Sequence, residues 1–301
     1  MKKFMTLLLC SIVLLVSFPM TAKADFGPKP SVQIDFEGLG DELCYGTLLS
    51  DRKSTGPSTA WDGTESDARH NENEHYSYAT LDYETWKKFI DYKDSDGFYF
   101  LQESWRCDET KELNWTYYPP SKFKILLYFP ENDTFFVSGI YERYAFDSHF
   151  KVDMKDLDVA EVISEAVLVA EESYNYLEEI LSFVARVIAT ILIEIAIAYA
   201  FLYYRKKQIR FIIVVNVLTQ ILLNVALSII DYRSGFLAFT FAYVGLELIV
   251  FAVEAVLYKI FLPRWSEKQR SVWLPIAYAF VANATSAFIG FQIAKIIPEL
   301  V

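Results

Sequence analysis

Four long apolar runs, at 181–204, 211–230, 236–262 and 272–298, dominate the second part of this 301-residue chain. About 20 apolar residues at 1.5 Å per residue cross the roughly 30 Å hydrocarbon layer of a bilayer, and each run is long enough. In lipid the backbone must satisfy its own polar groups, which turns such runs into helices. The spacing predicts a four-helix transmembrane bundle over 181–301, with the lipid bilayer as the partner of its outer surface.

The preceding part has the opposite character. Residues 25–180 hold 33 acidic against 14 basic side chains, whereas 181–301 hold 6 against 11, within an overall net charge of −11. An acidic surface of that density repels nucleic acid, so no nucleic-acid partner is expected.

Residues 1–24 read as a secretory signal peptide. Lys2 and Lys3 precede the apolar run FMTLLLCSIVLLVSF, and Ala22-Lys23-Ala24 forms a small-residue cleavage site. Cleavage after Ala24 exports the acidic part; an uncleaved anchor is the alternative. A short, lysine-led signal points to a bacterial cell envelope. With residues 25–180 extracytoplasmic, loops 205–210 and 263–271 fall in the cytoplasm. Seven basic residues then lie in the two inner loops and one, Arg233, in the outer loop, as the positive-inside bias requires. The expectation is a multi-pass cell-membrane protein of α+β class.

Within that scheme, residues 25–155 form a strand-rich α+β domain. Runs at 123–129 and 134–146 flank the turn Pro130-Glu131-Asn132-Asp133 and predict a hairpin. Further strands are predicted at SVQIDF and 97–105, and a helix over 82–92 with Trp86, Phe89 and Ile90 inward. Residues 156–180 predict an acidic amphipathic stalk helix, with Glu161, Glu165, Glu172 and Glu179 on its polar side. Cys44 and Cys107 permit either one disulfide or two buried thiols.

The apolar runs are interrupted by polar residues whose depths match. Glu194 lies in the first run, Glu247 and Glu254 two helical turns apart in the third, and Asn216, Gln220 and Asn224 at four-residue spacing in the second. The fourth carries Asn283 and Ser286. A carboxylate facing acyl chains is costly, so these groups are expected to turn toward one another. Two readings follow: amide–carboxyl bonds that hold a bundle together, or carboxylates lining a path for a proton or cation.

Other motifs are weaker. In YKDSDGFYFLQE, Asp94, Asp96, Gly97 and Glu103 occupy four positions of a calcium loop, but Tyr92 stands at the first ligand position, and the stretch reads as a turn. HNENEH offers His70, Glu72, Glu74 and His75 without the H-E-x-x-H spacing, which leaves metal binding open. No nucleotide-binding, nucleophile-elbow or zinc-protease pattern occurs, so no catalytic residue and no cofactor is nominated. The leading expectation is a non-enzymatic envelope protein. Its acidic outer domain senses or binds a surface ligand, or a membrane or surface protein partner, and is coupled to a polar-cored bundle. The alternative is a small proton- or cation-linked transporter or channel component using the intramembrane carboxylates; an enzyme using the same acids is a third.

Overall fold

The computed structural model describes residues 27–64, 83–155, 167–174, 176–266 and 271–296. It is an α+β structure with a strand-rich N-terminal part followed by helices. The signal sequence and the HNENEH motif lie outside the described residues.

Strand β1 (Ser31–Glu37) sets the pattern of the first sheet. Val32, Ile34 and Phe36 point inward while the polar residues between them face out, the two-residue period of a half-buried strand. β1 runs parallel to β10 (Asp147–Asp153) and antiparallel to β6 (Glu112–Trp115), and β12 (Ala170–Glu172) edges β10. The second sheet is built on β7 (Lys122–Phe129), which pairs antiparallel with β2 (Tyr45–Ser50) and β8 (Thr134–Ser138). β7 is buried on both faces, and β3 (Ser54–Thr55) and β4 (Ser58–Thr59) pair as a separate short ribbon. Phe123, Ile125, Leu127 and Phe129 meet Val32 and Ile34 of the first sheet; Leu126 and Tyr128 lie under helix α1 (Tyr83–Asp91) against Trp86 and Phe89. The result is three layers, helix on sheet on sheet, because a strand apolar on both faces needs a cover on each.

Several local expectations change. The predicted strand at 97–105 is reduced to a single bridge between Ser50 and Tyr99 before β5 (Trp105–Arg106). Gln102 leaves extended geometry at φ 62° and its buried amide donates to the Thr59 carbonyl at 3.1 Å. The predicted strand at 134–146 stops at Ser138, resumes as β9 (Tyr141–Glu142), and then turns where Ser148 Oγ accepts the Tyr144 and Ala145 N–H groups.

The stalk helix is also corrected. Residues 156–166 lie outside the described residues, but Val167–Leu168 is strand β11, beside β8, and Ala170–Glu172 is β12. Leu168 and Ala170 are buried and Val169 between them is exposed. That alternation fills two open sheet edges, and edge pairing outweighs the helical spacing of the acids.

Three helices follow: α2 (Tyr176–Ala200), α3 (Lys206–Phe261) and α4 (Leu274–Ile296). Two stretches, Ile180–Ala200 and Lys206–Trp265, are long and apolar enough to cross a membrane. α2 ends on Leu202 at φ 62°, with Tyr203 N–H bonded to the Ala198 carbonyl and Leu202 N–H to that of Tyr199, a Schellman stop with leucine in the place that favours glycine. α3 is broken at Gly235 (φ 74°, ψ 179°), where the second and third apolar runs meet with no loop between them. Its limbs fold back on each other, Leu223 and Leu227 packing with Tyr243, Leu246 and Val250.

The break is also where the strand-rich part touches the helices. The Tyr232 carbonyl loses its helical partner and instead accepts the Phe146 N–H at 2.8 Å. The Phe146 ring occupies the space a side chain at position 235 would need. Tyr144 and Tyr174 flank Tyr232 with ring centroids 6.3 and 6.1 Å away.

Candidate functional site

The buried polar side chains of the helical part gather into two linked clusters. Glu194 on α2 is 1 % exposed and Glu254, on the second limb of α3, is 0 % exposed. Each draws donors from other helices. Asn216 Nδ2, on the first limb of α3, donates to Glu194 Oε2 at 2.9 Å, and the Tyr278 hydroxyl of α4 donates to the same oxygen at 2.9 Å. Asn216 Nδ2 also lies 2.9 Å from the Tyr258 hydroxyl oxygen. One turn away, Thr219 Oγ1 donates to Glu254 Oε1 at 2.7 Å and Asn283 Nδ2 to Glu254 Oε2 at 2.7 Å.

Helical spacing explains the grouping. Asn216 and Thr219 are three apart and Glu254 and Tyr258 four apart, so each pair shares a face of its limb. The limbs are antiparallel about Gly235, which brings 216–219 level with 254–258. The rings of Tyr203, Tyr258 and Tyr278 close the layer, the Tyr203 and Tyr258 centroids lying 5.5 and 5.3 Å from that of Tyr278.

The two carboxylates are not equivalent. Both oxygens of Glu254 accept a hydrogen bond. Among the described residues, Glu194 accepts two at Oε2 and none at Oε1, and Asn216 Oδ1 has no partner either. A buried acceptor left without a donor costs about 1–3 kcal/mol. Two such atoms sit on side chains already joined to each other, each with capacity to accept a further donor.

The remaining sequence candidates sit elsewhere. Glu247 is half-buried and takes a hydrogen bond from Tyr243 on its own helix, apart from the Glu194–Glu254 layer. Asn224 Nδ2 donates to the Gln220 backbone carbonyl at 2.8 Å, so these amides bond each other rather than a carboxylate. Ser286 Oγ donates to the Asn283 carbonyl at 3.0 Å. Thr219, Tyr258 and Tyr278 are additions that sequence reasoning missed. The available signal was the mid-run place of Thr219; Tyr258 and Tyr278 lie within two turns of a run's end, where such rings gather and read as interface anchors.

In the strand-rich part, Asp94 and Asp96 both hold the Nζ of Lys124, at 2.8 and 2.5 Å, and Lys124 is 3 % exposed. The calcium-like stretch is thus a turn closed on a lysine. Asp94 also accepts the backbone N–H groups of Asp96 and Phe98. Cys44 and Cys107 stand on neighbouring chain segments, the Cys107 N–H bonded to the Cys44 carbonyl at 2.8 Å, and both are free buried thiols. Burial pushes the Cys107 thiol up to about 12 and that of Cys44 further still. Among the described residues, no three histidine, cysteine or acidic side chains are grouped to hold a metal. Comparison with protein-family models, with curated proteins and with solved structures finds no match.

Proposed function

We propose that this chain is a multi-pass cell-envelope membrane protein. Its strand-rich domain lies outside the membrane, binds a surface ligand or protein partner, and transmits its state to a four-helix polar-cored transmembrane bundle. The observation that carries the coupling is the seat of Phe146 on the break of α3, where a backbone bond and an aromatic ring from one part complete the other. The membrane assignment draws on an inversion of polarity. Leu192, Leu222, Phe241, Leu248 and Phe280 are exposed on the helices while Glu194, Glu254, Asn216 and Asn283 are buried between them. Water would favour the reverse arrangement and acyl chains favour this one.

The test uses the full chain in cells. Single cysteines at Ser54 and at Lys207, in a background with the native cysteines replaced by alanine, are exposed to a membrane-impermeant maleimide. Labelling at 54 in intact cells, and at 207 only after permeabilisation, is the expected result; the reverse order overturns the orientation. Phe146→Ala is expected to split a single thermal transition of the purified protein into two. If the parent already melts in two independent steps, the coupling fails.

A second reading is favoured by the unpartnered Glu194 Oε1 and Asn216 Oδ1: a small proton- or cation-linked transporter or channel component. It expects a proton or cation flux in proteoliposomes that Glu194→Gln or Glu254→Gln abolishes in folded protein. Flux equal to that of empty liposomes rejects it.

A further inference from the structure

At the end of the helical part opposite Gly235, the start of α3 and the 3-10 turn that follows it (Leu262–Trp265) enclose a groove of about 500 Å3. Arg205, Lys206 and Lys207 form one wall and Arg264, Trp265 and Ser266 the other. The walls are tied together by one amide. Gln208, buried beneath them, donates through Nε2 to the Leu262 carbonyl at 3.2 Å and to Ser266 Oγ at 3.1 Å, while its Oε1 accepts the Arg205 N–H at 3.3 Å. The aromatic side is fixed as well: the Trp265 ring lies 5.4 Å from that of Phe211, and the Arg264 guanidinium sits 4.8 Å over the Phe261 ring.

Four cations thus line one groove whose two walls are held together by Gln208. Among the described residues, no carboxylate forms an ion pair with Lys206, Lys207 or Arg264. Gathering like charges costs free energy unless an anion offsets it, and guanidinium and ammonium groups beside a serine hydroxyl suit the oxygens of a phosphate. The surface beside the groove narrows the choice of phosphate. Val253, Val256 and Ile260 are exposed along the limb of α3 that leads to it, and Trp273, also exposed, lies under the Lys259 ammonium at the same end. A charged pocket with exposed aliphatic side chains one to three turns from Arg264 on the same limb fits a molecule with a phosphate head and hydrocarbon tails.

We propose that this groove binds the phosphate headgroup of an anionic phospholipid, with Arg205, Lys206, Lys207 and Arg264 as the recognising cations. The assignment rests on the membrane reading above. It places a lipid-sensing contact at the base of both limbs of α3, since the two walls belong to their two ends.

The experiment titrates the full chain, purified in neutral detergent, with short-chain phosphatidylglycerol, phosphatidylcholine or inorganic phosphate, and follows the unfolding midpoint. Phosphatidylglycerol is expected to raise the midpoint saturably and phosphatidylcholine to leave it unchanged. Each cation removed by Lys207→Gln or Arg264→Gln weakens half-saturation about fivefold, the effect of about 1 kcal/mol per basic residue. Lys207→Arg, which keeps the charge, retains binding and guards against a folding artefact. Three results overturn the proposal: an equal shift with phosphatidylcholine, an equal shift with inorganic phosphate at the same concentration, or full binding by the double Gln variant. The membrane reading fails separately, if the chain is recovered from cells in the soluble fraction without detergent.

Discussion

The backbone N–H of Phe146 donates to the carbonyl of Tyr232 across 2.8 Å, and in doing so one part of the protein finishes a helix belonging to the other. The sequence separation of the two residues makes this a tertiary bond, and the ring that follows it packs on Gly235.

Replacing Gly235 by alanine tests that junction. The new methyl meets the Phe146 ring, and φ 74° is strained for any L-residue, so Gly235→Ala is expected to destabilise the protein by about 1–3 kcal/mol. Combining it with Phe146→Ala removes the collision and leaves the backbone strain. The double variant should therefore lose less than the sum of the single ones, as read by chemical denaturation.

Glu194 separates a bonding role from an empty one. Glu194→Ala removes the acceptor for Asn216 and Tyr278 and opens a void, an expected loss of about 2–4 kcal/mol. Glu194→Gln keeps an acceptor oxygen and supplies N–H donors to a neighbourhood with an unpartnered Asn216 Oδ1, so its cost should stay below about 1 kcal/mol. Thermal unfolding in detergent distinguishes them; equal losses would mean that the carboxylate charge itself is required.

Asp108 predicts the acid limb of stability. The Arg106 guanidinium bonded to it at 2.9–3.2 Å holds its carboxyl below the ordinary carboxylate value. A depressed folded-state value means that the unfolded chain binds the proton first. The stabilisation is complete above about pH 4, the unfolded value, and is lost as pH falls through the folded one. Asp108→Asn should flatten the dependence of the unfolding midpoint on pH below about pH 4, the unfolded value.

The thiols give a chemical readout. Cys44 and Cys107 are buried, and a thiol held near 12 is almost wholly protonated at neutral pH, so neither should react with iodoacetamide in folded protein. Both should react after denaturation without reductant. Mass spectrometry reads the count, and a denatured chain that takes up no label at these positions would mean a bridge.

Much of the architecture was legible because burial imposes a period. The alternation in SVQIDF, the inward Trp86 and Phe89, and the turn at 130–133 all state which side faces the core. The reach of residues 167–172 was hidden because Leu168 and Ala170 are inward only once β8 and β10 present open edges, a tertiary fact. In the helical part, depth set Glu194 level with Gln220, Glu254 near Asn216, and Glu247 near Asn224 and Asn283, whereas the bonds formed are Asn216 to Glu194 and Asn283 to Glu254. Depth does not fix rotation about a helix axis. Gln220, Asn224 and Glu247 share suitable levels yet bond within their own helix. Tyr258 and Tyr278 escaped notice because a tyrosine reads as apolar until its hydroxyl is placed.

The turn of α3 leaves helical geometry at one residue, Gly235, and that economy has a mechanical consequence. A longer connector would act as a slack tether and absorb displacement. A one-residue joint behaves as a stiff elbow, so a tilt forced on either limb by movement of Phe146 must be shared by the other limb. It also leaves no room for insertion: an added residue between 234 and 236 would rotate the second limb by about 100° and swing Glu254 away from Thr219 and Asn283.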